Sequence, residues 1–243
     1  LLDLKTGAVK REATEGQWMV RAVEDVDEAS GDLLLRVLGR SSGQDPYHVH
    51  FLRTNWKSGK TVALTEGDGT HRISWAPDRK SYVATWSRVD KPPVHELRRA
   101  SDGKMLATLE SANDEALQAT GWSRPERFVA KGRDGKTDIW GVIWKPRGFD
   151  PSRKYAVIEQ IYAGPHDHHV PKPYSILHGQ RTLAHLDFVV VSIDARGTGG
   201  RDKAFHDSSF LRAADVQLDD HVAALRRLAE RYPGIDRQRV GIY

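Results

Sequence analysis

The first half of the chain alternates short segments rich in β-branched and aromatic residues with turns rich in glycine, proline and aspartate. The segments recur about every ten residues, a spacing typical of antiparallel β-structure. They form two groups of four, at residues 17–26, 32–39, 47–55 and 61–65, and at residues 71–75, 81–87, 94–99 and 104–110. Two successive groups of four strands indicate two blades of a β-propeller, and a β-sandwich is the alternative.

The pattern changes beyond residue 120. Residues 127–131 and 138–145 flank a turn that contains Asp134-Gly135, which predicts a hairpin. Residues 155–162 and 188–194 are nearly continuous apolar runs. Runs without alternation are typical of strands buried on both faces, so they predict the interior of a parallel sheet.

The clearest helix is predicted over residues 211–232. Its apolar stripe repeats every seven residues, at Leu211, Leu218, Leu225 and Tyr232. Ser208 or Ser209 is predicted to cap its start, and Pro233-Gly234 to end it. A further apolar segment, residues 239–243, follows the helix. A strand, a helix and a strand in this order predict a right-handed crossover in a parallel sheet.

These patterns divide the chain into an all-β part over residues 1–112, a linker over 113–126 and an α/β part over 127–243. In an α/β-hydrolase the nucleophile follows a buried strand, on a Gly-x-Ser-x-Gly elbow. The α/β part contains no such sequence. We therefore expect a β-propeller fragment of about two blades, then a truncated α/β-hydrolase domain that is cut before its nucleophile elbow and inactive by itself.

Composition bounds the classes of function. The chain is 39% hydrophobic and 29% charged, which is ordinary for a globular protein. Its net charge is +4 and its basic residues are scattered, which argues against a nucleic-acid-binding patch. The absence of cysteine excludes disulfides, thiolate metal sites and a cysteine nucleophile. No apolar run approaches the roughly 20 residues of a membrane-spanning helix.

Tyr162 is the first candidate for a chemical role. It follows a predicted buried strand, in the sequence Ile161-Tyr162-Ala163-Gly164-Pro165. Ligands of open α/β sheets bind at the carboxyl ends of the strands. A tyrosine hydroxyl at this place can donate a hydrogen bond to an oxyanion that develops during acyl transfer. Packing of the ring over the end of the sheet is the alternative, and position alone favours it.

A glycine-rich segment over residues 194–202 also follows a predicted strand. Asp202 stands where a Gly-x-Gly-x-x-Gly phosphate loop needs its last glycine, and no Gly-Lys-Ser/Thr follows. The segment is therefore predicted to be a structural loop, with Asp194 and Arg196 as its tethers. Nucleotide binding is not expected.

Two groups of histidines could hold zinc, namely residues 166–169 and the pair His48 and His50. No recognised motif supplies either group with a complete set of ligands. We predict polar positions without a metal, and no cofactor. Asp219-Asp220-His221 is not expected to form a catalytic triad, because adjacent residues of a helix point in different directions.

Segments across the α/β part resemble one known family. They are residues 154–158, Tyr162-Ala163-Gly164-Pro165, residues 188–191, Asp194-Ala195-Arg196-Gly197-Thr198-Gly199, and residues 202–206 and 235–242. Together they are similar to the prolyl oligopeptidase family of serine peptidases, most of all to its dipeptidyl peptidase IV branch. Residues 75–78 and 89–93 resemble the last blade of the propeller in that family.

The resemblance implies a serine exopeptidase that releases N-terminal dipeptides through an acyl-enzyme. Its substrates would be peptides with proline or alanine at the second position, and its full-length form could be a homodimer in the periplasm or outside the cell. The resemblance also implies that Tyr162 completes the oxyanion hole. The catalytic serine, aspartate and histidine of the family would lie beyond Tyr243.

Other functions remain open on the same residues. One is an endopeptidase, an acylaminoacyl-peptidase or an esterase of the same fold. Another is a catalytically dead propeller–hydrolase protein that acts as a binding module. A serine in the elbow would indicate an enzyme, and its replacement would indicate the binding module. A glutamate pair in the upstream propeller would distinguish a dipeptidyl peptidase from an endopeptidase.

Overall fold

The computed structural model describes residues 1–243, apart from the side chains of residues 213 and 214. The chain forms two compact units. The first comprises Leu1–Ser87 and Pro93–Ser111, and the second comprises Arg88–Pro92 and Ala112–Tyr243.

The first unit contains two four-stranded antiparallel sheets in which strands adjacent in sequence are adjacent in space. The first sheet consists of β1 (Met19–Asp27), β2 (Asp32–Leu38), β3 (His50–Asn55) and β4 (Thr61–Ala63). The second consists of β5 (Thr70–Trp75), β6 (Ser81–Arg88), β7 (Lys91–Arg99) and β8 (Met105–Ser111). All eight predicted strands are confirmed, and each sheet has the meander arrangement of a propeller blade.

Side chains from both sheets share one apolar core. Its buried members are Phe51, Leu64, Tyr82, Ala84 and Ala100. The Tyr82 hydroxyl donates a hydrogen bond to the backbone oxygen of Leu64. Gly103 is needed in the same region, because a Cβ on it would lie 2.1 Å from the Ala63 oxygen. The two sheets are therefore joined by packing and by close backbone approach.

Three histidines lie inside the first unit, each no more than 3% exposed: His48, His50 and His71. His50 Nε2 is 3.0 Å from the side-chain oxygen of Gln44, and its ring centroid is 4.6 Å from that of His71. Both ring nitrogens of His71 face backbone oxygens, at 3.0 Å and 2.6 Å. In the described part of the chain, no group of three or more metal-ligating side chains is found.

Burial, together with the smaller effects of the neighbouring His71 and His48, lowers the pKa of His50 to about 3. Burial also lowers the pKa of His71. His50 is therefore held neutral in the folded state at pH values where the unfolded chain is protonated.

We predict that the first unit loses stability as the pH falls from about 6.5 towards 3. In this window the unfolded chain binds a proton at His50 that the folded chain does not, so the free energy of unfolding drops by up to about 1.4 kcal/mol per pH unit. His50→Gln should flatten this slope. Urea unfolding at several pH values measures it, and an unchanged slope in the variant would contradict the prediction.

The second unit contains one five-stranded sheet in the order β13-β11-β12-β10-β9. The strands are β9 (Glu126–Lys131), β10 (Asp138–Trp144), β11 (Tyr155–Gln160), β12 (Val189–Asp194) and β13 (Ile235–Ile242). β9 and β10 form the predicted hairpin, and β10 is antiparallel to β12. β11 is parallel to both β12 and β13. The predicted parallel sheet is confirmed, with β13 beside β11 rather than beside β12.

Four helices accompany this sheet: α1 (Glu115–Ala119), α2 (Gly179–Ala184), α3 (Lys203–Asp207) and α4 (Ala213–Arg231). The predicted cap of α4 is wrong, because its N-cap is Arg212 and Ser208 instead ends α3. No helix in the described part of the chain has the length and apolar character needed to cross a membrane.

Helix α4 turns a different face to the core than the seven-residue pattern predicts. Leu211 is 89% exposed and Leu218 is 55% exposed. Leu211 lies before the first residue of α4, and of the later members of the repeat Leu225 and Tyr232 pack against the core as partly buried side chains. The buried positions follow an i, i+4 spacing instead: Val216, Gln217, Asp220, His221, Ala224 and Leu228.

The segment between the two predicted parts, residues 113–126, contains α1 and belongs to the second unit. Asp114 organises it. Its carboxylate accepts hydrogen bonds from Gln118 at 2.6 Å, from Arg124 at 2.9 Å and from the Tyr174 hydroxyl at 2.9 Å. These bonds, led by that from Arg124, hold the pKa of Asp114 well below its usual range.

Candidate active site

The carboxyl ends of β11, β12 and β13 meet at one edge of the sheet, because the three strands are parallel. The amide of Tyr243 donates to the oxygen of Glu159 at 2.9 Å, and the amide of Ile161 donates to the oxygen of Tyr243 at 3.2 Å. The backbone at the end of β13 therefore lies beside the residue that precedes Tyr162. This edge is where open α/β sheets bind ligands.

Tyr162 is half-buried at this edge. Its ring stacks on that of His169, with centroids 5.5 Å apart and planes inclined by 24°. A Cβ on Gly164 would lie 2.6 Å from the Tyr162 hydroxyl, so the chain passes close to that group. His206 Nε2 donates to the Pro165 oxygen at 3.0 Å and ties this loop to α3.

Asp194, at the end of β12, holds the loop that follows Tyr162. Its side chain is fully buried. Its Oδ1 accepts the amides of His169 at 2.7 Å and Val170 at 3.1 Å. Lys172, only 5% exposed, places its Nζ 3.4 Å from Oδ2 and supplies the opposite charge. Asp194 is thus a tether, as the sequence predicted.

Arg196 is the second tether. Its Nε and Nη2 each lie 2.7 Å from one carboxylate oxygen of the fully buried Asp220, and its Nη1 lies 3.0 Å from Asp134. The backbone amide of Arg133 also donates to Asp220, at 2.9 Å. The bond to Asp220 raises the pKa of Arg196 above its usual value. Bonds from Thr137, first among several causes, hold the pKa of Asp134 well below its usual range.

The glycines of the same segment permit close packing. Gly197 has φ +101°, and a Cβ on it would lie 2.2 Å from the Ser209 hydroxyl. A Cβ on Gly199 would lie 3.0 Å from the Asp167 Cα. The glycine-rich segment is therefore a packed structural loop, in agreement with the sequence prediction.

A buried pair beneath this edge was not predicted. Glu159 of β11 and His221 of α4 are 2% and 1% exposed, and their Oε1 and Nδ1 atoms lie 2.5 Å apart. Asp220 and His221 turn to different partners, so Asp219-Asp220-His221 is not a triad, as expected. Gln217 and His221 lie four residues apart on one face of α4, and this spacing was the available signal that His221 is buried. The seven-residue repeat of apolar residues predicted a different buried face and obscured that signal.

One sequence in the chain matches the Gly-x-Ser-x-Gly pattern by letter, namely Gly39-Arg40-Ser41-Ser42-Gly43. It lies in the first unit, in the connection between β2 and β3. A nucleophile elbow joins a strand to a helix, whereas this segment joins two antiparallel strands. The match is a turn between strands and not an elbow.

Comparison with known proteins gives consistent results for both units. Residues 174–243 match the prolyl oligopeptidase family, and residues 1–93 match the N-terminal region of dipeptidyl peptidase IV. Dipeptidyl peptidase 8 of Mus musculus is 27% identical over 239 residues, which are 95% of this chain and 27% of that protein. A probable dipeptidyl-aminopeptidase B of Grosmannia clavigera is 36% identical over 172 residues, 65% of this chain and 18% of that protein.

A solved structure extends the likeness to three dimensions. The crystal structure of Porphyromonas gingivalis dipeptidyl peptidase 4 has a TM-score of 0.77 and 28% identity, and the match covers 99% of this chain and 33% of that one. Both units of the chain are thus similar to proteins of the prolyl oligopeptidase family. It spans about a quarter of the length of the curated relatives that it matches. The propeller-like region and the hydrolase region of this family follow one another here in the predicted order.

We predict that Arg196→Gln destabilises the second unit by about 3–5 kcal/mol, because it leaves the buried Asp220 without its cation. Arg133→Gln is the matched control. The side chain of Arg133 pairs with Asp219, and the two are 35% and 58% exposed, so its loss should cost about 1 kcal/mol or less. Urea unfolding of the two variants gives the comparison, and equal losses would argue against the burial effect.

Proposed function

We propose that this chain is part of a serine exopeptidase that releases N-terminal dipeptides after proline or alanine. The position of Tyr162 carries the acyl-transfer part of the proposal, because Tyr162 follows β11 at the sheet edge where the Tyr243 backbone pairs with Glu159 and Ile161. The names of the relatives add support, since dipeptidyl peptidases are prominent among them. Substrates would be peptides with proline or alanine in second place, and a homodimer is the proposed assembly of the full-length enzyme.

We assign the parts of the chain accordingly. Residues 1–112 are the last blades of a propeller, residues 113–126 are the linker, and residues 127–243 are the N-terminal part of the hydrolase domain. The two meander sheets and the match of residues 1–93 to the dipeptidyl peptidase IV region support the first assignment. The parallel strands β11, β12 and β13 support the last.

The proposed chemistry is acyl transfer. A serine on an elbow after a strand such as β13 attacks the carbonyl carbon of the scissile bond, and a histidine takes its proton. The carbonyl oxygen becomes an oxyanion, to which the Tyr162 hydroxyl donates together with a backbone amide of the elbow. The amine leaves with a proton, and water then hydrolyses the acyl-enzyme.

The backbone contacts at the end of β13 fit this scheme. Tyr243 exchanges hydrogen bonds with Glu159 and Ile161, so a residue just after β13 would emerge close to Tyr162. An endopeptidase, an acylaminoacyl-peptidase or an esterase would use the same donor, and they differ from a dipeptidyl peptidase in how the substrate amine is held. A binding module without a serine in the elbow would retain the fold without the reaction.

We predict that these 243 residues, expressed alone, hydrolyse no peptide substrate, because their hydrolase part contains no nucleophile elbow. Loss of triad members lowers kcat by orders of magnitude. The assay is release of the chromophore from a Gly-Pro amide, with labelling by a fluorophosphonate. Stoichiometric labelling together with turnover would overturn the prediction.

A second prediction concerns the full-length protein. Tyr162→Phe keeps the ring and removes the hydroxyl, so kcat should fall by about 10²–10³-fold, the size of effect for one oxyanion donor. KM should change less than kcat, because the lost bond is made in the transition state. Thermal melting should stay the same. A kcat within about threefold of wild type would remove Tyr162 from the oxyanion hole.

A further inference from the structure

We propose that His169 is a positioning residue for Tyr162, and that Asp194 and Lys172 hold it in place. The inference rests on the proposed oxyanion role of Tyr162 and adds the side chain that orients that donor. His169 acts through the ring of Tyr162 and not on the substrate.

The Tyr162 hydroxyl has no hydrogen-bond partner among the described residues. Its donor is therefore available to a ligand, but no bond from the protein fixes the direction of the phenol. Packing must do so. One face of the ring lies on the imidazole of His169, and the backbone at Gly164 passes close to the hydroxyl end.

The His169 imidazole is the platform under the Tyr162 ring, and contacts with β12, the strand beside β11, hold it in place. All six residues of β12 are buried, and β12 is hydrogen-bonded to β11 in parallel register. Asp194 ends this strand and binds two successive amides, those of His169 and Val170. Charge-assisted bonds of this kind are shorter and stronger than neutral ones. The backbone of His169 is thus tied to the sheet that also carries Tyr162.

The charge of Asp194 is balanced within the same loop. Lys172 lies three residues after His169 and approaches the second carboxylate oxygen. A buried carboxylate without such a partner would be costly, and its loop would be free to move. Two further bonds hold the loop, from the Gly199 amide to the Asp167 oxygen at 3.3 Å and from His206 to Pro165. The loop that carries His169 is therefore anchored to β12, to the glycine-rich segment and to α3.

Catalytic donors tolerate little displacement, since an error of about 1 Å can cost about 100-fold in rate. His169→Ala removes the platform and opens one face of the Tyr162 ring. His169→Phe keeps a flat ring at the same place and should restore its support. His166→Ala is the matched control, because that side chain belongs to the same loop and is exposed.

The test uses the full-length protein and measures kcat, KM and thermal melting of each variant. His169→Ala should lower kcat by about 10- to 100-fold and leave KM within about twofold, while His169→Phe and His166→Ala stay close to wild type. In the Tyr162→Phe background, His169→Ala should have no further effect on kcat, because the donor that it positions is gone. A crystal structure of His169→Ala should show the Tyr162 ring displaced.

The outcomes separate this inference from the proposed function. If Tyr162→Phe lowers kcat but His169→Ala does not, the positioning role is overturned and the oxyanion role stands. If Tyr162→Phe leaves kcat unchanged, the oxyanion role fails, and the crystal structure alone decides whether His169 orients the ring. A Tyr162 ring that stays in place without His169, or a full second loss of kcat in the Tyr162→Phe background, would overturn the inference.

Discussion

The structure of the second unit depends on the backbone pairing of β11 between two parallel neighbours. Because β12 and β13 both run parallel to β11, all three carboxyl ends meet at one edge. Each end contributes one element there: Tyr162 after β11, Asp194 at the end of β12, and the Tyr243 backbone after β13. An antiparallel neighbour would have sent one of these ends to the opposite side of the sheet.

Buried carboxylates secure the loops around this edge, and each has a partner suited to it. Asp194 takes two amides and a lysine, Asp220 takes a guanidinium and two amides, and Glu159 takes an imidazole. Burial makes an unpaired charge costly, so Asp194 and Asp220 favour the loop arrangements that satisfy them, and Glu159 of β11 favours the packing of α4 that places His221 beside it. The same groups therefore specify which conformation the loops adopt. Hydrophobic packing alone would specify that conformation less strictly.

Strands and turns of both units were predictable, because apolar runs and Gly/Pro/Asp turns are local signals. The hydrophobic face of α4 was not, since Leu218 of the seven-residue repeat faces solvent and Leu211 lies before the helix. The buried pairs were not predictable either. Arg196 and Asp220 are 24 residues apart, and Glu159 and His221 are 62 apart, so only the folded sheet brings them together. The place of Tyr162 after a buried strand was predictable, because the apolar run that precedes it is a local signal.

The hydrogen bonds of the glycine-rich segment, residues 194–202, also explain why a glycine-rich loop after a strand need not bind phosphate. A phosphate loop leaves its backbone amides free to face the ligand. Here the amide of Gly197 donates to the Phe205 oxygen, and that of Gly199 donates to the Asp167 oxygen. The amide of Arg196 donates to Asp220. With these donors already engaged by the protein, the loop offers little to an anion, and its glycines serve instead to bring α3 and the loop after Tyr162 close to the sheet.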